Sequence, residues 1–325
     1  MKDHFLSGLF LLYICGMMNT NTIYSKVIFA LIRVTIGSIF IFSGFIKLYP
    51  IEPFEFTFVE NGLATWAVAP FLARILICIE IFLGLMFVCN LKSKITLKAS
   101  LALLLFFTVY LIYAIATEGN DRNCGCFGTF LEMTPIQAIV KNILMMGMIL
   151  LLFKNKSEWN WKPLLLVLII GLFSIITPFI LNPIDIANSE NTNSTTVSYP
   201  LDIELLGDYK FGDEKPDLKK GKYLLSFLSV ACGHCKTAGL KLSIINKKIK
   251  LPPSYIVLFG PEKYKKDFFD YTKLTFPYYY YPDEKIFKII GYSFPIILYV
   301  EDGIIKKKWN GATLNQAEIE KAINE

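Results

Sequence analysis

Five stretches of this chain are long and apolar enough to cross a lipid bilayer, and that property limits what the chain can fold into. They are residues 26–48, 67–91, 96–117, 135–153 and 163–183. A segment in hydrocarbon must satisfy its own backbone N–H and C=O groups, which leaves helices or closed barrels. Runs of about 20 apolar residues have the length of helical spans. The first half therefore reads as an all-α multi-pass membrane helix bundle, and it holds most of the apolarity behind the 54% hydrophobic content and mean hydropathy of +0.48. A further run, Phe5–Met18, has about 14 residues, short for a span, and lacks a small-x-small cleavage site. Residues 1–25 carry no assignment.

Loop charges set the orientation, because lysine and arginine stay on the cytoplasmic side. The loop 49–66 carries Glu52, Glu55 and Glu60 with no basic residue and reads as outside. Lys92, Lys94 and Lys98 put the next connection inside, Glu118, Asp121 and Glu132 against Arg122 put 118–134 outside, and Lys154, Lys156 and Lys162 return the chain inside. Five spans then deliver everything after Pro183 to the extracytoplasmic side.

Residues 184–198 (IDIANSENTNSTTVS) are polar and aperiodic and read as a linker. The remainder, 199–325, alternates apolar strands with helical patterns, an α/β domain large enough for its own core. The net charge of +6 is dispersed, which gives no nucleic-acid footprint.

Two cysteine pairs carry the chemistry. Cys232-Gly233-His234-Cys235 follows the apolar strand KYLLSFLSV and opens a helical stretch. At a helix N-terminus, free N–H groups and the dipole favour the thiolate of Cys232. Cys235, one turn deeper, is positioned to resolve a mixed disulfide. His234 adds a protonatable neighbour that favours an oxidising pair. Phe294-Pro295 before the strand IILYV fits a cis-proline loop facing this motif. A static disulfide or half a zinc site is the competing reading, but zinc needs four ligands and the soluble half offers no further cysteine or histidine, so no metal is expected.

The soluble half resembles the thioredoxin-like fold, in particular its periplasmic TlpA-like branch, over roughly residues 200–325. The resemblance rests on CGHC, the Phe-Pro turn and the Asp302-Gly303-x(5)-Trp309-x-Gly311 ending. The tryptophan usual before the first cysteine is replaced by Ala231. The membrane half, over about residues 26–154, resembles the DoxX/MauE-like family. Arg33, Gly37, Phe40, Ser43-Gly44, Lys47, Glu80 with Gly84, and CGCFG at 124–128 carry that resemblance. It leaves the fifth span, within 155–183, as a tether. The resemblance implies thiol or sulfur redox at a bacterial cytoplasmic membrane. MauE is implicated in making disulfides during methylamine utilisation, and DoxX proteins are linked to sulfur oxidation with quinone.

Cys124 and Cys126 lie in the extracytoplasmic loop with Gly125 between them. A disulfide across one residue closes a small strained ring, which is readily reduced and suits a transient electron acceptor. The alternatives are two thiols acting separately or a static bond. Cys15, Cys78 and Cys89 sit in apolar runs and read as small core residues. Charges inside spans are costly and therefore candidates for function. Arg33, about 7 residues or roughly 10 Å from the cytoplasmic end of its span, and Glu80 fall at similar depth. They are expected to pair, either as a structural lock or as a proton- or quinone-handling site. For Lys47, Arg74 and Lys141, nearer the outer face, snorkelling suffices, or they hold a quinone head group or stabilise a thiolate.

Together these features read as a membrane-bound thiol-disulfide oxidoreductase. Electrons pass between CGHC and CGC, extracytoplasmic protein thiols or disulfides are the partners, lipid surrounds the bundle, and quinone is the candidate acceptor. An outward-reducing relay for protein or cytochrome maturation and a non-catalytic assembly factor are the alternatives.

Overall fold

The computed structural model describes residues 23–91, 93–120, 133–153, 163–184, 195–281, 283–291 and 293–324. They fall into two compact units. One contains the membrane helices, up to Thr57 and from Val68 to Ile184, and the other contains Phe58–Ala67 with the chain beyond Ile184.

Among the described residues five helices are long and apolar enough to span a bilayer: α1 (Ile23–Ile46), α3 (Ala69–Val88), α4 (Ser93–Glu118), α5 (Pro135–Leu152) and α6 (Pro163–Leu181). Each lies within a few residues of an expected span. The hydropathy pattern does not announce α2 (Glu52–Glu60), which interrupts the first outer loop. Its signals are Pro53 at the start and Glu52 and Glu55 in the first turn, where the helix dipole favours acid. At α5, Pro135 occupies the first turn and Thr134 and Gln137 form a capping box.

The bundle is organised on α3, the most buried span, whereas α6 exposes most of its apolar surface, including Leu165, Leu168 and Phe173. Lipid tails are as apolar as leucine, so spans associate through close packing rather than hydrophobic exclusion. Here α1 and α3 cross with Gly37 against Gly84. A Cβ built on Gly84 would lie 2.8 Å from the Gly37 carbonyl oxygen and 2.9 Å from the Ile41 nitrogen. One crossing contact on each side is thus backbone. Gly44 repeats the device farther along, where a Cβ would meet Ile81 at 2.9 Å and the Glu80 Cβ at 3.4 Å.

The second unit is a six-stranded mixed sheet in the order β1-β6-β5-β2-β3-β4. Its strands are β1 (Thr195–Pro200), β2 (Lys222–Ser229), β3 (Ser254–Phe259), β4 (Tyr278–Tyr280), β5 (Ile296–Glu301) and β6 (Ile304–Asn310). Strands β2, β3 and β4 run parallel, and β5 is antiparallel to both β2 and β6. The helices are α7 (Gly233–Lys248), α8 (Lys265–Thr272), α9 (Ile286–Ile290) and α10 (Gln316–Asn324). β2 is buried at every position after Lys222 because both its faces are covered. Leu224 and Leu228 face the cluster containing Cys235, Leu242, Trp309 and Ile319. Leu225 and Phe227 face the opposite cluster, which contains Phe211, Ile286 and, from β5, Leu298. This architecture, with Cys232-Gly233-His234-Cys235 at the end of central β2, is the thioredoxin-like α/β fold.

Because the Gly84 contacts are with backbone that cannot step aside, Gly84→Ala is expected to cost about 1–3 kcal/mol through overpacking. It should lower the thermal midpoint of the detergent-solubilised protein. Gly147→Ala in α5, where nothing lies within 4 Å of the new methyl, is the control and is expected to be neutral or stabilising.

Candidate functional site

β2 ends at Ser229, the chain turns through Val230 and Ala231, and α7 begins directly after Cys232. Cys232 is the N-cap residue, with extended backbone (φ −95°, ψ 123°) and no side-chain capping bond. Its N–H donates to the Ser229 carbonyl at 3.2 Å, and its own carbonyl accepts from the Lys236 N–H at 3.1 Å. The turn is thereby fixed at both ends. Cys232 is partly exposed, and His234 projects from the first turn as an exposed residue.

Cys235 is fully buried in the core formed by α7 and the sheet. Its Sγ accepts a hydrogen bond from the Ser229 N–H at 3.2 Å. Burial pushes its thiol well above the ordinary range, against the weaker opposing effect of that N–H. The pair is therefore asymmetric, with one sulfur reachable from outside and one held protonated beneath it. That division suits nucleophilic attack by the first and resolution by the second.

The Phe294-Pro295 bond is cis. Pro295 is buried and leads into β5, while Gly311, just past β6, brings it against the turn that carries the two cysteines. A Cβ on Gly311 would lie 3.1 Å from Pro295 Cγ and 4.0 Å from the His234 carbonyl oxygen. Cys232, His234, Cys235 and Pro295 thus converge at one end of the sheet, with Gly311 as an additional element of the wall. The glycine of the Trp-x-Gly ending was the sequence signal for it. Cys124 and Cys126 lie outside the described residues.

In the membrane unit, Glu80 does not meet Arg33. It meets Lys47, whose Nζ lies 2.5 Å from Oε1 and 2.7 Å from Oε2, with Ser43 Oγ donating to Oε1 at 3.3 Å. The Phe54 and Phe107 rings flank the ammonium at 5.1 and 5.9 Å. The cause is the crossing. With Gly84 against Gly37, antiparallel α1 sets Gly44 beside Glu80, and Arg33 is eleven residues, or ~16 Å, back along the helix. Lys47 and Arg74 are buried rather than snorkelled. Arg74 binds Glu55 at 2.6 Å and the Asn182 carbonyl at 2.9 Å. Arg33 lines a small cleft with Phe87, Thr96 and Leu152. Cys78 approaches the Ile175 carbonyl of α6 at 3.8 Å.

Residues 25–154 match the family model described as "Methylamine utilisation protein MauE". The chain is 30% identical to Protein TlpB of Flavobacterium psychrophilum over 347 aligned positions, covering 88% of this chain and 92% of that protein. A solved structure, a secreted disulfide oxidoreductase of Mycobacterium tuberculosis homologous to E. coli DsbE, is 15% identical. That match covers 32% of this chain and 81% of the other, with a TM-score of 0.28.

Iodoacetamide applied at pH 7 to the reduced, folded protein is expected to label Cys232 and leave Cys235 unlabelled, as read by peptide mass spectrometry; equal labelling would contradict the burial. Because folded Cys235 keeps its proton where an unfolded thiol, with a pKa of about 8.5, has lost it, the reduced soluble unit is expected to lose stability as pH rises above that value. In the membrane unit, Lys47→Met and Glu80→Gln are each expected to destabilise by about 3–5 kcal/mol, since each strands a buried partner. The double substitution should cost less than the sum, which a double-mutant cycle in micelles reads directly.

Proposed function

Because this chain belongs to the family of Flavobacterium psychrophilum Protein TlpB, we propose that it is a membrane-bound thiol-disulfide oxidoreductase. Its soluble CGHC pair acts on extracytoplasmic protein thiols and exchanges electrons with the membrane pair Cys124–Cys126. The observation that carries this reading is the asymmetric cysteine pair: partly exposed Cys232 at the N-cap of α7 above buried Cys235, with cis-Pro295 alongside.

In the favoured direction the soluble pair begins as a disulfide. A client thiolate attacks the Cys232 sulfur, forms a mixed disulfide, and displaces the Cys235 thiolate, which takes up a proton. The client's second thiolate then attacks its own bridged sulfur, completes the client disulfide and releases the Cys232 thiolate. Two electrons now reside on CGHC. The Cys232 thiolate passes them on by attacking the Cys124–Cys126 disulfide, after which Cys235 closes the soluble disulfide and leaves the membrane pair as a dithiol. The lysine-rich and acidic loops support an extracytoplasmic location for both pairs, the side where protein disulfides persist. The methylamine-utilisation match supports enzymes matured by disulfide formation as the client class.

A quinone would supply a two-electron, two-proton sink, but the buried charges do not fit one that these thiols reduce. Glu80 is committed to Lys47. Arg33 lies toward the end of α1 opposite Lys47, whereas the segment that holds Cys124 and Cys126 reads from its charges as extracytoplasmic. The proposed relay therefore runs only as far as the membrane pair.

A thiol-trapping gel shift on cells tests the relay. In a Cys124→Ser/Cys126→Ser strain the Cys232–Cys235 pair is expected to accumulate in the reduced form. Accumulation of the oxidised form would reverse the direction of flow, and an unchanged redox state would sink the exchange between the two pairs.

A further inference from the structure

Ser229, the last residue of β2, touches both cysteines of the CGHC motif through its backbone. Its N–H donates to Cys235 Sγ at 3.2 Å, and its carbonyl accepts the Cys232 N–H at 3.2 Å. The neighbouring strand fixes this residue in place. The β2–β3 ladder ends with Ser229 opposite Phe259, and the Phe259 carbonyl accepts the Val230 N–H at 2.9 Å. Gly260 follows with φ +109°, a conformation that favours glycine. It lies close against the same two residues, since a Cβ there would come 3.1 Å from Val230 Cγ2 and 3.3 Å from Ser229 Oγ. From the other side of β3, Tyr280 at the end of β4 donates its hydroxyl to the Gly260 carbonyl. The Tyr280 ring is partly buried against the cluster that contains Cys235. The next residue makes the same kind of bond in the opposite layer, where the Tyr281 hydroxyl donates to the Leu205 carbonyl at 2.8 Å.

We propose that the Tyr280 hydroxyl is a positioning group for the cysteine pair. By holding Gly260 against Ser229 and Val230 it keeps the Ser229 N–H on Cys235 Sγ, and it thereby favours the dithiol over the disulfide. The proposal deepens the thiol-disulfide reading and rests on it. The direction follows from the sulfur's capacity to accept. A thiolate takes a hydrogen bond much more strongly than a sulfur already bonded to another sulfur, because the acceptor then carries charge. The N–H therefore helps most when an incoming thiolate attacks the Cys232 sulfur, forms a mixed disulfide and displaces Cys235 as a thiolate, which then takes up a proton. In the reverse step Cys235 gives up that proton, attacks the Cys232 sulfur and expels the external thiolate. The buried side chains clustered with Cys235, Leu224, Leu228 and Leu242 among them, are hydrophobic. In such surroundings a small displacement of one N–H dipole is weakly screened. Tyr280 thus acts through Gly260 and Ser229 and touches no reacting atom.

The test uses the full chain in micelles with Cys124→Ser/Cys126→Ser, equilibrated at pH 7 against mixtures of reduced and oxidised glutathione. After acid quenching and alkylation, peptide mass spectrometry reads the redox state of Cys232 and Cys235. Tyr280→Phe is expected to raise the equilibrium constant for forming the soluble disulfide about three- to tenfold over the parent chain, the scale of weakening one hydrogen bond to a charged group. Tyr281→Phe is the matched control. It is expected to lower the thermal midpoint about as much as Tyr280→Phe while leaving that constant unchanged. Equal constants for Tyr280→Phe and the parent would overturn the positioning role and leave the oxidoreductase reading standing. So would an equal shift in both variants, which would indicate general loosening, or a Tyr280→Phe shift toward the dithiol. A parent chain whose Cys232–Cys235 pair failed to exchange with glutathione at all would overturn the oxidoreductase reading, and the positioning role with it.

Discussion

Nearly every feature of this molecule follows from one cost, that of leaving a polar or charged group unpartnered where water cannot reach it. In hydrocarbon that cost makes the backbone helical. It also explains why Lys47 and Glu80 share a site with Ser43, and why Arg74 is satisfied by Glu55 and a backbone carbonyl. A charge buried alone would be more expensive than the pair, so each charge that the packing buries is met by a partner. The same cost acts on Cys235 in the soluble unit. There it falls on the thiolate, and the buried sulfur keeps its proton.

Close packing supplies what electrostatics leaves open in the membrane. Gly37 and Gly84 allow two backbones to touch, and the position of that contact decides which side chains meet farther along the same helices. Glu80 lies beside Lys47 because the crossing is at Gly84, not because the two charges found one another independently. In the soluble unit the alternation along β2 does comparable work. Even positions bury against α7 and odd positions against the opposite layer, so the strand's end and the helix's start are held in a single frame. The turn from Val230 to Cys235 inherits its geometry from that frame.

Much of this was legible in the sequence. The spans, the strand before CGHC, the helix after it and the proline turn before IILYV all announce themselves through periodicity or through residues with restricted backbones. The short helix at Glu52–Glu60 did not, because nine residues with mixed polarity give little periodic signal, and only the acidic start and Pro53 marked it. The expected Arg33–Glu80 pair failed for a physical reason. Equal depth in neighbouring spans does not specify rotation or crossing point, and the glycine contact moves Glu80's partner to Lys47, near the far end of α1. Lys47 and Arg74, read as snorkelling, are buried because α2 and the neighbouring helices supply partners that a one-dimensional reading cannot see.

The sequence by itself determined the classes of structure and the chemistry available, since length, hydropathy and residue type are local properties that act before any contact forms. It specified helices for the membrane, an α/β domain beyond it, and two closely spaced cysteine pairs. Only the tertiary structure decided which buried charge answers which and that Cys235 is sealed while Cys232 is not. Those outcomes depend on register and crossing geometry, and register is settled by the summed packing of residues far apart in the chain.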